Sequence, residues 1–169
     1  MIETERLLIR KFTLDDVEAS YQMNLDAEVS RYTGDGGVVS REEIEHRIVN
    51  HVLADYKEHG YGRFAMELKS TGQFIGFCGL KYLPDLKETD LGYRMMSAYW
   101  GKGLATEAGR AVMEYGWQTL GLKRIIAMVL PENQGSVRVL EKLGFVREGI
   151  YEEDGEVADL YACVTPENT

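Results

Sequence analysis

The chain has 169 residues, of which 44% are hydrophobic, and this length and composition suit one globular domain spanning residues 1–169. No apolar run approaches the roughly 18 residues that a membrane-spanning helix needs, and the charged N-terminus is unlike a signal peptide. We therefore expect a cytoplasmic protein with no membrane partner. The formal net charge of −9 repels phosphate backbones, which argues against nucleic acid as a partner.

The first third of the chain predicts one strand and two helices. The apolar pattern of residues 6–12 indicates a strand. Thr13 and Ser40 are each followed three residues later by an acidic residue, the capping-box pattern, so we expect a helix to begin at each. The glycine-rich segment 33–37 between these helices predicts a loop.

The middle of the chain predicts three strands. Residues 61–69 and 74–82 are joined by Ser70-Thr71-Gly72, which is typical of a hairpin. Residues 90–96 predict the third strand. His46 and His51, which precede these strands, are five residues apart, whereas a helical metal pair is usually about four apart. The two cysteines also lack paired ligand spacing, and we expect no metal.

The last part predicts two helices and three strands. A glycine turn at 101–103 opens a long helix that ends before Gly121, where a left-handed residue is expected. The remaining elements are a strand at 124–130, a helix at 133–143, and strands at 145–151 and 157–164. The order predicts a mixed α/β sheet.

Two segments carry candidate chemistry. Residues 91–108 (LGYRMMSAYWGKGLATEA) lead from a strand through a glycine turn into a helix, an arrangement that suits a pyrophosphate. A purely structural turn is the alternative. In residues 131–149 (PENQGSVRVLEKLGFVREG), Asn133 and Ser136 lie one helical turn apart and share a face. The alternative is that Asn133 only caps the helix.

Together with TERLLIRKFTLDD at residues 4–16, these segments resemble the GNAT superfamily of acyl-CoA-dependent N-acetyltransferases. The chain looks most like the branch of ribosomal-protein N-terminal acetyltransferases (RimJ/RimL-like). The resemblance implies an N-acetyltransferase domain with a mixed, mostly antiparallel sheet of about seven strands. It also implies flanking helices and a V-shaped splay between the strands at 90–97 and 124–130. Acetyl-CoA is the implied co-substrate, without a metal.

The resemblance also implies the residues that bind acetyl-CoA. The pantetheine arm is expected at the ends of the splayed strand and at Asn133, and the pyrophosphate at the glycine turn. Lys142 is expected at a phosphate, or else on a solvated helix face. The full predicted set is Met95, Met96, Ser97, Gly101, Lys102, Gly103, Leu104, Ala105, Thr106, Asn133, Ser136 and Lys142.

Acetyl transfer from a thioester needs a base for the amine and a donor for the leaving sulfur. We predict Asp90 as the base, because other members of the superfamily often have a carboxylate where this strand starts. An exposed structural acid is the alternative reading, and Glu152, Glu153 and Glu156 are rivals. The general acid of many GNAT enzymes is a tyrosine, and Leu140 stands at that place here. Ser136 is the predicted substitute.

The function predicted from the sequence is transfer of acetyl to a primary amine, on a small molecule or a protein N-terminus, by direct attack on the thioester. The missing tyrosine keeps a second hypothesis open, a non-catalytic acetyl-CoA sensor or regulatory module. The resemblance leaves the oligomeric state open, although a homodimer is common among proteins of this kind.

Overall fold

The computed structural model describes residues 1–31, 40–153 and 155–166, so the predicted loop at 33–37 lies outside the described residues. The strands are β1 (Ile2–Glu3), β2 (Leu7–Lys11), β3 (Arg63–Leu68), β4 (Gln73–Leu83), β5 (Glu88–Met95), β6 (Arg124–Val129), β7 (Val146–Glu153) and β8 (Glu156–Val164). They form one eight-stranded sheet in the order β1-β2-β3-β4-β5-β6-β8-β7. The predicted strands are confirmed. The additional β1 has two residues, too few to produce a pattern.

The helices are α1 (Val17–Leu25), α2 (Ala27–Ser30), α3 (Arg41–Arg47), α4 (Ala54–His59), α5 (Leu104–Gln118) and α6 (Gln134–Lys142). Both predicted capping boxes contribute caps. The Thr13 N–H donates to Asp16 Oδ2 at 2.9 Å, and the Glu43 N–H donates to Ser40 Oγ at 3.1 Å. None of the described helices is both long and apolar enough to cross a membrane.

The neighbouring strands β5 and β6 are parallel, and the sheet opens between them. β5 and β6 are in register only at Asp90 opposite Ile126. On its other side, β6 pairs with β8 without interruption from Arg124 to Val129. All the other neighbouring strands are antiparallel. The predicted mixed sheet and its V-shaped splay are therefore confirmed.

The two faces of the sheet are covered by different helices. On one face, Leu104, Ala108 and Val112 of α5 are at most 2% exposed and belong to the main core cluster. On the other face, Ile44 of α3 and Ile48, which directly follows α3, form a smaller cluster with Phe12 and Ala65. Removing the larger of these side chains, the leucine, valine, isoleucines and phenylalanine, from water stabilises the fold by about 1.5–3 kcal/mol each. The strands on both sides of the splay, β5 and β6, contribute side chains to the main core cluster.

Candidate active site

A cavity of about 740 Å³ lies where β5 and β6 separate. Residues 91–95 of β5 form one wall, and residues 127–130 at the end of β6 form the other. Residues 132–136 and the first turns of α6 lie along the same cavity. Its volume is in the range of small-molecule sites, roughly 300–1,000 Å³. Of the predicted cofactor residues, those that line the cavity are Met95, Gly101, Ala105, Asn133 and Ser136.

A turn with two left-handed glycines joins this cavity to α5. Gly101 and Gly103 have φ values of 74° and 78°, a conformation that other residues rarely adopt. A Cβ atom at Gly101 would meet no other atom within 4 Å, so the turn is open on that side. Within the described ranges, the backbone N–H groups of residues 101–106 donate to no acceptor. Such a row of free donors at a helix N-terminus suits an anion.

Arg6, Thr4 and Glu107 hold this turn in place. Arg6 Nη1 donates to the carbonyl oxygen of Lys102 at 2.9 Å, and Arg6 Nε donates to Glu107 Oε1 at 2.8 Å. Thr4 Oγ1 and the Arg6 N–H both donate to Glu107 Oε2. Arg6 is far from the turn in the sequence, so no local pattern predicts this contact. The Arg6–Glu107 ion pair thereby fixes the turn and leaves its N–H groups free.

Asn133 and Ser136 lie on the α6 side of the cavity. Asn133 Oδ1 caps α6 by accepting the Ser136 N–H at 3.2 Å. Asn133 Nδ2 has no partner in the described part of the chain, which leaves it able to donate into the cavity. Asn133 therefore both caps the helix and presents a polar group to the cleft.

Tyr93 of β5 contacts Ser136 across the cavity. Its hydroxyl donates to Ser136 Oγ at 2.9 Å. Burial is the main reason why the pKa of Tyr93 is raised, to about 12. The sequence analysis missed Tyr93. The strand alternation could have identified it, because Tyr93 carries a hydroxyl and lies between Leu91 and Met95 on the face of β5 that packs into the core.

The segment after β5 is already partly hydrogen-bonded. The Met96 N–H donates to the Ile75 carbonyl at 2.9 Å, and Trp100 Nε1 donates to the Met95 carbonyl at 2.8 Å. The N–H and hydroxyl of Ser97 both donate to the carboxylate of Asp26. The bond from the Ser97 hydroxyl is the main reason why the pKa of Asp26 lies below its usual value. Neither Met96 nor Ser97 lines the cavity.

Asp90 lies beside the cavity rather than in its wall. Arg63 Nη2 donates to Asp90 Oδ1 at 2.8 Å, and Arg63 Nη1 donates to the Asp90 carbonyl at 3.1 Å. The rivals Glu152, Glu153 and Glu156 are exposed at the end of the β7–β8 hairpin and do not line the cavity. The structure therefore brings Ser136 to the cavity but places none of the four candidate bases in its wall.

The remaining predicted residues lie at the edge of the site. Lys142 is exposed and does not line the cavity, whereas Arg138, one helical turn earlier, does line it. Within the described residues Arg138 has no ion-pair or hydrogen-bond partner, so it is a candidate phosphate contact that the sequence analysis missed. Lys102 is exposed, and Leu104 is buried, so Leu104 offers only its N–H. The described residues contain no cluster that could hold a metal ion.

A profile of the acetyltransferase (GNAT) domain matches residues 6–146 of this chain. The chain is 35% identical over 153 residues to YoaA, an uncharacterised N-acetyltransferase of Bacillus subtilis. This match covers 89% of this chain and 85% of YoaA. A solved structure of a GNAT-family acetyltransferase from Bacillus anthracis is 32% identical, with a TM-score of 0.80. That match covers 96% of this chain and 97% of the other.

Two other similar proteins carry names that state an acceptor. Spermidine N(1)-acetyltransferase of Escherichia coli is 28% identical over 142 residues, which are 83% of this chain and 73% of that protein. The ribosomal protein uS5 alanine N-acetyltransferase of the same species is 38% identical over 85 residues, 47% of this chain and 44% of that protein. The acceptors named for these two proteins are a polyamine and a protein alanine.

Proposed function

The chain belongs to the GNAT family of N-acetyltransferases, and on that premise we propose that it passes acetyl from acetyl-CoA directly to a primary amine. One observation carries the proposal. The cavity between β5 and β6 ends at a turn whose N–H groups, from Gly101 to Thr106, have no acceptor in the described residues. The cavity suits a pantetheine arm, and the turn suits the pyrophosphate that follows it in CoA.

The residues present fit acetyl-CoA along its length. The N–H groups of residues 101–106 bind the pyrophosphate, and Arg6, which is paired with Glu107, holds the turn in place through its bond to the Lys102 carbonyl. Asn133 donates to an amide of the pantetheine arm through Nδ2. Arg138, which lines the cavity, reaches a phosphate in place of Lys142. Such a set aligns the thioester with the splay, where an amine can reach the carbonyl carbon.

The reaction itself needs little covalent help, because a thioester is already activated. The Ser136 hydroxyl donates a hydrogen bond to the departing sulfur. Asp90 accepts the proton of the attacking amine through a water molecule, and Arg63 holds this carboxylate in place through the 2.8 Å bond from Nη2 to Oδ1. Leu140 is 3% exposed and has no acidic group, so the donor must be a different residue.

The acceptor we propose is an amine of low pKa, such as a protein N-terminus, with polyamines as the other class. An α-amine has a pKa of about 7.7–8.0 against about 10.4 for lysine, so a modest base suffices. The names of the two similar proteins support one class each. The net charge of −9 favours a cationic acceptor, although Glu88 and Asp90 are already paired with Arg124 and Arg63.

The test is a competition among peptides with free N-termini, acetyl-capped lysine peptides, and polyamines. Thiol release from acetyl-CoA is measured for each acceptor at low and high salt. We expect the free N-terminus to react fastest, with a rate for cationic acceptors that falls as salt rises. Faster turnover on the capped lysine peptide or on the polyamine would remove the α-amine preference. Rates that do not fall with salt would remove electrostatic steering.

A further inference from the structure

The hydrogen bond between Tyr93 and Ser136 joins the two walls of the cavity. Tyr93 belongs to β5 and Ser136 to α6, and the tyrosine hydroxyl donates to Ser136 Oγ at 2.9 Å. Both residues line the cavity. Tyr93 packs against the main core cluster, so its ring is fixed while its hydroxyl reaches the cleft. The Tyr93 hydroxyl therefore donates to Ser136 Oγ from a fixed position.

This bond fixes which way the serine hydroxyl points. A hydroxyl has one proton to donate, and an oxygen that accepts a bond keeps that proton free. Ser136 Oγ accepts from Tyr93 and has no other partner in the described part of the chain. Its own proton is therefore directed away from Tyr93, toward the open cleft.

We propose that Tyr93 is a positioning residue, which turns the Ser136 hydroxyl so that it donates to the sulfur of the CoA thiol or thiolate. This inference rests on the proposed function of the cleft and adds a residue to it. Tyr93 itself does not touch the sulfur. The proton that finally converts the thiolate to a thiol comes from solvent, and the proton of the amine leaves through the base.

Tyr93 keeps its own proton throughout. Burial has raised the pKa of Tyr93 to about 12, whereas a free thiol has a pKa of about 8.5. Transfer of the tyrosine proton to a thiolate would therefore run uphill. The tyrosine acts through its hydrogen bond, which a phenylalanine cannot make, while the ring of phenylalanine fills the same space.

The first measurement uses coenzyme A alone and needs no acceptor. The pKa of the bound thiol is read from the ultraviolet absorbance of the thiolate as pH is raised. We expect a value below that of free coenzyme A, because a donor aimed at sulfur favours the charged form. Ser136→Ala should raise it by about one pKa unit, and Tyr93→Phe by roughly half a unit.

The double variant separates positioning from independent action. If Tyr93 acts only through Ser136, adding Tyr93→Phe to Ser136→Ala changes nothing further. On an acceptor that the unaltered protein acetylates, Tyr93→Phe should lower kcat by roughly threefold to tenfold, with the KM for acetyl-CoA kept. The matched control is Tyr61→Phe, which removes a hydroxyl bonded to Thr89 outside the cavity and should leave both readouts unchanged.

The outcomes also distinguish this inference from the proposed function. A protein that binds coenzyme A but acetylates no amine would contradict the proposed function, while the thiol pKa still tests Tyr93. An unchanged thiol pKa in Tyr93→Phe, or additive effects in the double variant, would overturn the positioning role. No binding of coenzyme A at millimolar concentration would overturn both. Thermal unfolding of each variant verifies that it is folded.

Discussion

Arg63 Nη2 lies 2.8 Å from Asp90 Oδ1, and the two side chains are only 18% and 15% exposed. The pair sits at the residue where β5 and β6 are last in register. Asp90 Oδ2 has no partner among the described residues, so one oxygen is held and the other is available. The ion pair at the start of the splay therefore fixes the orientation of the carboxylate and leaves one oxygen able to accept a proton.

We predict that Asp90→Asn lowers kcat/KM by roughly 10²–10⁴, the usual range for loss of a general base. The loss should shrink at high pH, because the amine is then already neutral. The matched control is Asp55→Asn, since Asp55 is paired with Lys81 at the same 2.8 Å and is also 15% exposed. A loss below about threefold at every pH would assign Asp90 to holding Arg63 and would move the base to Glu152, Glu153 or Glu156.

The contacts of Glu107 predict a pH-dependent contribution to stability. Burial raises the pKa of Glu107, but the hydrogen bonds from Thr4 and Arg6 outweigh it, so the net pKa lies below the usual value. The contribution is therefore complete above the unfolded pKa of about 4.3 and is lost as pH falls through the folded pKa. Glu107→Gln should lower the melting temperature at pH about 7, and this difference should disappear as pH falls through the folded pKa of Glu107.

A matched control for that series is Glu18→Gln. Glu18 pairs with Arg41 on an open surface, where ion pairs contribute little. Its effect on the melting temperature at neutral pH should be much smaller than that of Glu107→Gln. Equal losses of melting temperature in the two variants at neutral pH would mean that Glu107 contributes no more stability than an ordinary surface ion pair.

The free N–H groups of the glycine turn predict that Gly101→Ala weakens cofactor binding. Its new Cβ has no protein neighbour within 4 Å and would project into the open space beside the turn, where we propose that the pyrophosphate binds. Gly72→Ala is the control, because Gly72 has nearly the same φ (71° against 74°) and equally open surroundings in the β3–β4 turn. Both variants carry the same backbone strain.

The measurement is a thermal shift with and without acetyl-CoA. The unaltered protein and Gly72→Ala should gain about 2.7 kcal/mol at a hundredfold excess over Kd. Gly101→Ala should gain much less at the same concentration. An equal shift in both glycine variants would mean that the turn does not bind the pyrophosphate.

Asn133 allows its two roles to be separated. Asn133→Ala removes both the helix cap and the free Nδ2 donor, whereas Asn133→Asp keeps a capping oxygen and loses the donor. We expect Asn133→Asp to retain the melting temperature of the apo protein and to lose affinity for acetyl-CoA by about 1–3 kcal/mol. Calorimetric titration with acetyl-CoA gives the affinity. Unchanged affinity in Asn133→Asp would restrict Asn133 to capping α6.

Most of the fold could be predicted from the sequence because its signals are local. Capping residues, the alternation of apolar side chains and the glycines at 101, 103 and 121 predicted elements that the structure contains. The resemblance to the GNAT family is confirmed. The single turn of α2 carried no such signal, since four residues are too few for a period.

The site was harder to predict because its contacts join distant parts of the chain. Arg6 reaches Lys102 and Glu107, and Tyr93 reaches Ser136, through packing that no local pattern encodes. The same limit explains why Arg138 was not predicted as a phosphate contact. α6 carries two basic residues, Arg138 and Lys142. Only the packing of α6 against the cavity decides that Arg138 lines the cavity and Lys142 does not. Spacing along a helix identifies a face but does not say what that face meets.

Acetyl transfer to an amine can be measured directly with a single peptide. Purified protein is incubated with acetyl-CoA and a peptide that has a free N-terminus and no lysine, and both products are quantified in the same samples. We expect thiol release and acetylated peptide to form in equal amounts, and a peptide with a blocked N-terminus to give neither. Binding of acetyl-CoA without acetylation of this peptide, of the lysine peptide or of the polyamine would contradict the account and favour an acetyl-CoA sensor.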